Sequence, residues 1–513
     1  MTFKLIKFTF LLLTAQSRHV ESLQNLQPLG LHTPSSGHID VLNGMIPAQK
    51  FWEDYVKNGR PVVFKGFALS SPAYKLWTDE YLARNYGNLK VKIESKYEKD
   101  NTPVGDRGLG QDSIKHFVKT YKTDDKYMVT QLPDPMAKEV LIPSCILCGS
   151  FHDRMLEVNM WMSSGNTTSL LHRDADNAIN CLLQGTKDWV LIHPRYTKQL
   201  PVEVEVGEPY GGFTRVNVDS VDFEKFPEMK NVPWHSAKLS AGDCLFLPTQ
   251  YWHQVRSYGE RNMAVSVLVS RLSEFDGSGC HGERPVPKLL SEVPYVWKYD
   301  GFSTQTMGNP DPFEFNETLD SWCEDSRGYL SFDDLLRILV DSRDVGVYKG
   351  TLNDFDDYEV NEDELEDLKE QASEILQLLD ANEDNVFSCD SEKKLLDIKQ
   401  LIKLSEAYDP DPANGEEYEF YQIDKSKVLK LVRSRQLWTK DDFTKAYLKS
   451  FKASYSGGVR LFSILDGNSD GTVDIVELSM NLSKFLDMFD RQTRSDVVES
   501  KSGNLKRLKK TEL

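Results

Sequence analysis

Beyond its first residues the chain has no run of about 18 apolar residues, so no membrane-spanning helix is expected. Positive charge is also short. The 61 Lys and Arg against 79 Asp and Glu leave a net charge of −18, and nucleic acid is not an expected partner because nothing broadly basic is there to neutralise phosphates. Cysteine is sparse, with 7 in 513 residues. Cys145 and Cys148 form a single CxxC, but no second CxxC or histidine pair stands at zinc-finger spacing, which excludes the usual structural zinc sites. Cys181 and Cys244 lie in apolar, strand-like runs and read as buried thiols. Cys280, Cys323 and Cys389 are candidates for disulfides, and the odd total leaves at least one thiol unpaired.

The N-terminus, MTFKLIKFTFLLLTAQS, places Lys4 and Lys7 ahead of an apolar run that ends in small residues near Ser17 and Ser22, the pattern of a signal peptide over residues 1–22. Lys510, Thr511, Glu512 and Leu513 approximate a KDEL-type retrieval signal with one inner position changed. Together they address the chain to the endoplasmic reticulum lumen, with secretion as the alternative. Asn166, Asn316 and Asn481 each open a glycosylation sequon. Oligomeric state leaves no mark in the sequence.

At this length one core does not suffice. Residues 23–50 lack periodicity and read as a leader. From Phe51, FWEDYVKNG fits a helix, PVVFKGF a strand, LWTDEYLARNYG a helix and LKVKIESKY an alternating strand; a helix with an acidic cap follows at Asp112–Lys119, then the strand KYMVTQL. MLEVNMWM, NAINCLLQG, DWVLIHP, AKLSAGDCLFLP and MAVSVLV are short apolar segments separated by Gly, Pro and Asn. That spacing suggests an α+β domain over residues 51–284 built on a closed or sandwiched β core of the jelly-roll or cupin kind. Residues 285–319 are Pro-rich and read as a linker, 320–490 as an acidic helical domain, and 491–513 as a basic tail.

Within the β region, LHRDADNAINCLLQGTKDWVLIHP puts His172 and Asp174 two residues apart, on one face of a strand. His253, in AGDCLFLPTQYWHQV, can supply a third ligand. Two imidazoles and a carboxylate on one side of a metal, with open positions opposite, are what a non-haem Fe(II) centre uses. The pair alone selects nothing, because His19/Glu21, His38/Asp40 and His281/Glu283 repeat it. Gly185 turns the chain and Lys187 follows thirteen residues after Asp174. Such a Lys either faces solvent or, pointing inward, needs an anion, a role the far carboxylate of 2-oxoglutarate can fill. His253 taken alone reads equally as a packed, aromatic-flanked histidine.

His172, Asp174, Lys187 and His253, with FEKFP near Phe223 and PVVFKG, WTDEYL and KYMVTQL in order, resemble the JmjC oxygenases, and within them the cupin-like subgroup of the asparaginyl hydroxylase that acts on hypoxia-inducible factor. The resemblance spans roughly residues 51–271. It implies a double-stranded β-helix, Fe(II) held by His172, Asp174 and His253, and 2-oxoglutarate as cosubstrate with its distal carboxylate on Lys187, assisted by the hydroxyls of Tyr127 and Ser169. Ala178 and Leu268 depart from the pattern, standing where asparagines line the cosubstrate pocket. The activity implied is C–H hydroxylation, and a luminal address directs it to a protein substrate of the secretory pathway.

Downstream, DGNSDGTVDIVE matches an EF-hand loop: Asp466, Asn468, Asp470 and Asp474 at positions 1, 3, 5 and 9, Gly471 at 6, the Thr472 carbonyl at 7 and Glu477 at 12, a Ca2+ ligand set. Asp380 to Ser391 keeps the early ligands but has Asn385 at the glycine position and Ser391 where glutamate belongs, so weak or absent Ca2+ binding is expected there. Cys323 to Asp334 and Leu431 to Asp442 read as degenerate loops, completing an all-α EF-hand region. Two functions remain open: a luminal Fe(II)/2-oxoglutarate protein hydroxylase that binds Ca2+, and a non-catalytic luminal Ca2+-binding scaffold with a JmjC fold.

Overall fold

The computed structural model describes residues 26–29, 35–94, 96, 108–124, 126–203, 212–214, 216–280, 286–303, 308–326, 328–346, 362–408, 425–451, 455–468 and 470–491. The expected signal peptide and KTEL terminus lie outside them. Among the described residues no helix is long and apolar enough to cross a membrane.

The β segments assemble into a fourteen-stranded sheet. Its main path runs Asp40–Asn43, Val62–Lys65, Cys244–Leu247, Asn177–Ile192, Trp252–Val269, Met155–Ser163, Tyr127–Gln131, Lys90–Glu94 and Gly108–Ser113. The first two strands pair in parallel and the remaining neighbours on this path are antiparallel. Met155–Ser163 is buried at eight of its nine positions, which is the pattern of a strand covered on both faces. One face packs Met128, Met160, Met162, Val265 and Val267 against Phe51, Trp77, Phe117 and their neighbours on the N-terminal helices. The other face closes a second core of Val63, Ala178, Leu182, Trp189, Leu191, Leu239, Leu245 and Ala264.

That second core exists because the longest strands bend. Residues 177–184 pair with 263–269, residues 186–192 pair with 252–258, and the register shifts on either side of Gln184. Gly185 sits at this corner with φ +82, a conformation a β-carbon disfavours. Sequence spacing suggests two strands joined by a turn there, whereas the backbone forms one strand that bends across to the facing layer. Helices flanking a large mixed sheet folded in this way fit a jelly-roll.

Other expectations need correction. Residues 40–43 and 48–50, placed in a leader for want of periodicity, are a sheet strand and the opening of the helix Ala48–Phe51, which continues through Trp52–Val56. The helix expected from Asp112 is Ile114–Thr120, capped by the Ser113 hydroxyl, which accepts from the His116 N–H at 3.2 Å. Cys181 and Cys244 are not free thiols but a disulfide, because strand register sets them directly opposite each other. Cys148–Cys280 and Cys323–Cys389 are also bonded, leaving Cys145 as the buried free thiol. The Pro-rich segment packs back on the domain: Ile142 N–H donates to Lys288 O at 2.9 Å and Lys90 N–H to Gly301 O at 2.7 Å. The buried Glu157 carboxylate accepts from the Gly308 N–H at 3.2 Å and the Asn309 amide at 2.5 Å. A helix, Pro312–Asp325, then begins inside the expected linker, capped by Asp311.

The C-terminal region forms four helix–loop–helix segments in two pairs, each joined by a three-residue antiparallel ladder. Tyr329–Ser331 pairs with Val386–Ser388, and Leu437–Thr439 with Thr472–Asp474. Leu368, Ala372, Ile375, Leu376 and Leu379 show why: apolar residues at helical spacing make one stripe, which packs with Phe315, Leu319 and Leu404 in one core. Val428, Trp438, Phe443, Leu461, Val473 and Phe485 form the core of the second pair.

A β-carbon at Gly185 would lie 2.6 Å from the Asn262 amide nitrogen and 2.7 Å from the Tyr258 carbonyl oxygen. Gly185→Val is therefore expected to destabilise the domain by about 2 kcal/mol or more, measured as a fall in denaturation midpoint against wild type; an unchanged midpoint would show that the corner tolerates a side chain.

Candidate metal centre

The strand pairing places the ligand residues. His172, in the short strand Leu171–Arg173, is the register partner of His253 near the start of Trp252–Val269. Their rings lie 4.1 Å apart between centroids. Asp174 follows in the turn that enters the bent strand, with a carboxylate oxygen 3.8 Å from His172 Nε2 and the other 3.6 Å from His253 Nε2. All three donor atoms fall within 4.8 Å of one another, the convergence a single metal ion requires.

Each imidazole is oriented by the backbone. His172 Nδ1 lies 2.9 Å from Leu170 O and His253 Nδ1 2.9 Å from Tyr251 O. A carbonyl accepts, so Nδ1 carries the proton and Nε2 presents its lone pair to the centre, as histidine metal ligands do. Burial, followed by the neighbouring His172, holds His253 down to about 4, so it is neutral and ready to coordinate at pH 7. His253 is 4% exposed, His172 32% and Asp174 45%. The centre is therefore walled behind His253 and open beside Asp174. Trp189 forms part of that wall, stacked on His253 with centroids 5.7 Å apart. Two residues from Asp174, Asp176 is buried, and desolvation with the nearby Asp311 and Glu157 pushes it well above the usual carboxylate range. It therefore adds little negative charge near the centre.

Lys187 points inward. Register sets it opposite Leu239 and Ser257, and it is 3% exposed with no ion pair or hydrogen bond among the described residues. Burial lowers it to about 8. A buried ammonium without a counter-ion is costly, and its presence indicates a place prepared for an anion. Ser169 is held on the neighbouring backbone: its N–H donates to Val255 O at 3.0 Å and its hydroxyl oxygen accepts from Val255 N–H at 2.9 Å, leaving the hydroxyl proton for another acceptor. Tyr127 is half-buried and paired with Glu94 on the neighbouring strand. By strand alternation it shares a face with Val129 and Gln131.

One row of residues escaped the motif reading. Ala178 and Leu268, the apolar departures from the cosubstrate pattern, are direct register partners. Two residues further along that face, Asn180, Ser266 and Asn159 form a row across three strands. Asn180 Oδ1, Asn159 Oδ1 and Trp189 Nε1 are buried with no hydrogen-bond partner among the described residues. The polar positions within NAINCLLQG and MLEVNMWM were the available signal, but only register shows that they align.

Two imidazoles, one carboxylate and an open side suit a divalent transition metal, Fe(II) among them, and the unpaired Lys187 suits a small carboxylate beside it. Residues 48–269 match the family model described as a cupin-like domain. Lysine-specific demethylase 8 of Danio rerio is 27% identical over 234 residues, which are 42% of this chain and 55% of that protein. Jumonji C domain-containing protein 5 of Drosophila melanogaster is 25% identical over 249 residues, 46% of this chain and 60% of that protein. The chain thus spans between half and three-fifths of the length of these relatives. With His172, Asp174 and His253 converging beside the bent strands, and the family match covering that same segment, residues 48–269 form a cupin-like domain similar at low identity to JmjC proteins.

Proposed function

We propose that this protein is an Fe(II)- and 2-oxoglutarate-dependent oxygenase that hydroxylates a protein substrate in the endoplasmic reticulum lumen and binds Ca2+ through its C-terminal region. The observation that carries the oxygenase reading is the pairing of a converged His172–Asp174–His253 centre with Lys187, a buried cation with no counter-ion among the described residues. In this reading the two Nε2 atoms and the Asp174 carboxylate hold iron. Lys187 takes the distal carboxylate of 2-oxoglutarate, with Ser169 and Tyr127 offering hydroxyls. Bound together, iron and cosubstrate supply oxygen activation, with 2-oxoglutarate and O2 consumed, succinate and CO2 released, and one oxygen atom placed in a C–H bond. Trp189 and the buried ring of His253 keep water from the rear of the site, and the exposed Asp174 side is where a polypeptide can approach. The luminal address comes from the terminal sequence signals and the Ca2+ reading from the spacing of residues 466–477.

A second reading, a non-catalytic Ca2+-binding scaffold, is favoured by one feature: Ala178 lies opposite Leu268 where the resemblance has polar partners for the cosubstrate. Turnover separates the two. Purified protein with Fe(II), ascorbate and 2-oxoglutarate is expected to form succinate, and His172→Ala to lower the rate at least about a hundredfold; no succinate with any protein mixture, together with no retained iron, would sink the oxygenase reading.

The charge on Lys187 gives a pH test. Without an anion it deprotonates as pH rises through about 8; a carboxylate beside it favours the charged form and raises that value. Affinity for 2-oxoglutarate in calorimetry is thus expected to be level below about pH 8 and to fall by up to about tenfold per unit above it. Lys187→Met should bind weakly with no such slope, and a slope retained in that variant would remove Lys187 from the role. For the Ca2+ reading, Glu477→Gln should abolish the tightest site in a calorimetric titration; an unaltered isotherm would count against residues 466–477.

A further inference from the structure

The loop beginning at Asp380 reads poorly as a cation site because its twelfth residue is Ser391, yet its backbone matches that of the loop beginning at Asp466. In the two loops the fifth residue's N–H donates to the first residue's carboxylate, Asp384 to Asp380 at 3.2 Å and Asp470 to Asp466 at 3.1 Å. The sixth N–H reaches the same carboxylate, from Asn385 at 2.7 Å and from Gly471 at 3.0 Å. Asn385 has φ +66 and Gly471 φ +85, so asparagine adopts the left-handed turn at the position where glycine is usual.

The loops differ at their exits. In the better match Glu477 lies in the first turn of Ile475–Arg491 and its Oε2 accepts from the ninth residue's N–H, Asp474, at 3.4 Å. After Val386–Ser388 the chain instead turns through Cys389, which is bonded to Cys323, and Glu392 N–H donates to Ser388 O at 2.9 Å before a short helix at Lys393–Leu395. This detour delays the returning carboxylate by one residue. Glu392 supplies it: Oε2 accepts from the Ser388 N–H, again the ninth position, at 2.7 Å. Glu392 is 6% exposed, and its Oε1 is buried with no hydrogen-bond partner among the described residues. An unpaired carboxylate oxygen at that depth is expensive, and a cation in the loop would satisfy it.

We propose that residues 380–392 form a second Ca2+ site, a thirteen-residue loop in which Glu392 takes the place of the missing twelfth ligand. Asp380, Asn382 and Asp384 contribute one side-chain oxygen each, Val386 its carbonyl and Glu392 both oxygens, while Ser388 occupies the position that ligates directly or through water. Six oxygens reach the lower end of Ca2+ coordination. Three carboxylates here, against Asp466, Asp470, Asp474 and Glu477 in the other loop, make it the weaker of the two, since affinity follows ligand charge. The choice of ion rests on the Ca2+ reading of residues 466–477; the ligand set does not.

Calorimetry and native mass spectrometry of the full chain with Ca2+ alone, from micromolar to millimolar, test this. Two ions are expected. Glu477→Gln should remove the tighter, Glu392→Gln and Asp380→Asn should each weaken the other at least about tenfold, and Ser391→Ala should change neither. Circular dichroism and an intact Cys323–Cys389 bond identify properly folded variants, and Asp380→Asn carries the test if Glu392→Gln misfolds. A single ion lost in Glu477→Gln, or a second ion indifferent to Glu392→Gln and Asp380→Asn, overturns the proposal while leaving the first loop intact. A single ion lost in Glu392→Gln but kept in Glu477→Gln supports it and rejects the first loop. No Ca2+ uptake rejects both.

Discussion

The pairing of Asn177–Ile192 with Trp252–Val269 is the interaction on which the cupin-like domain depends. The pair itself buries Lys187 and changes layer at Gly185, and Trp252–Val269 also takes up Leu171–Arg173, which aligns His172 with His253. A flat version of the same ladder would carry the same residues on one surface and enclose nothing. Bending it sets 177–184 and 186–192 in facing layers, and the apolar residues between them, Ala178, Leu182, Trp189 and Leu191, hold the layers together. The enclosed space follows from one backbone position that only glycine occupies without strain.

The interior made this way combines an apolar clamp with polar groups that find no partner among the described residues. Lys187, Trp189 Nε1, Asn180 Oδ1 and Asn159 Oδ1 are each buried at a cost in solvation. Other buried polar groups of the domain are paired: Glu139 takes bonds from Trp77 and Tyr81, and Asp79 from Arg261 and Tyr121. Lys187, Trp189, Asn180 and Asn159 lie on strands that border the enclosed space. Stability given up there is what a ligand returns on binding, and the same logic applies on a smaller scale to Glu392.

Much of this was readable in the residues. The order of strands, the corner at Gly185 and the trio His172, Asp174 and His253 follow from periodicity, a glycine and two motifs, because each is encoded by local chemistry. What escaped depends on register, which a one-residue slip would alter. Cys181 and Cys244 read as buried thiols until their strands are aligned, and Asn159, Ser266 and Asn180 are unrelated polar residues until three strands stand side by side. Glu392 was missed for the opposite reason. A fixed spacing template excludes it, whereas the backbone detour at Cys389 restores its carboxylate to the loop. The strand Asp40–Asn43 read as leader because a short strand with exposed positions carries little periodicity.

Glu157 fixes where the domain ends. Its carboxylate is buried among sheet strands, pushed above the usual range by desolvation and held back by Asn159, Asn309 and the Gly308 N–H. Two of those partners come from beyond residue 300, on a segment whose composition marks it as a dispensable connector. The autonomous folding unit therefore extends past its last strand to at least Asn309. A protease cut or gene boundary placed near residue 284 would separate a buried anion from part of its solvation and so weaken the sheet that holds it.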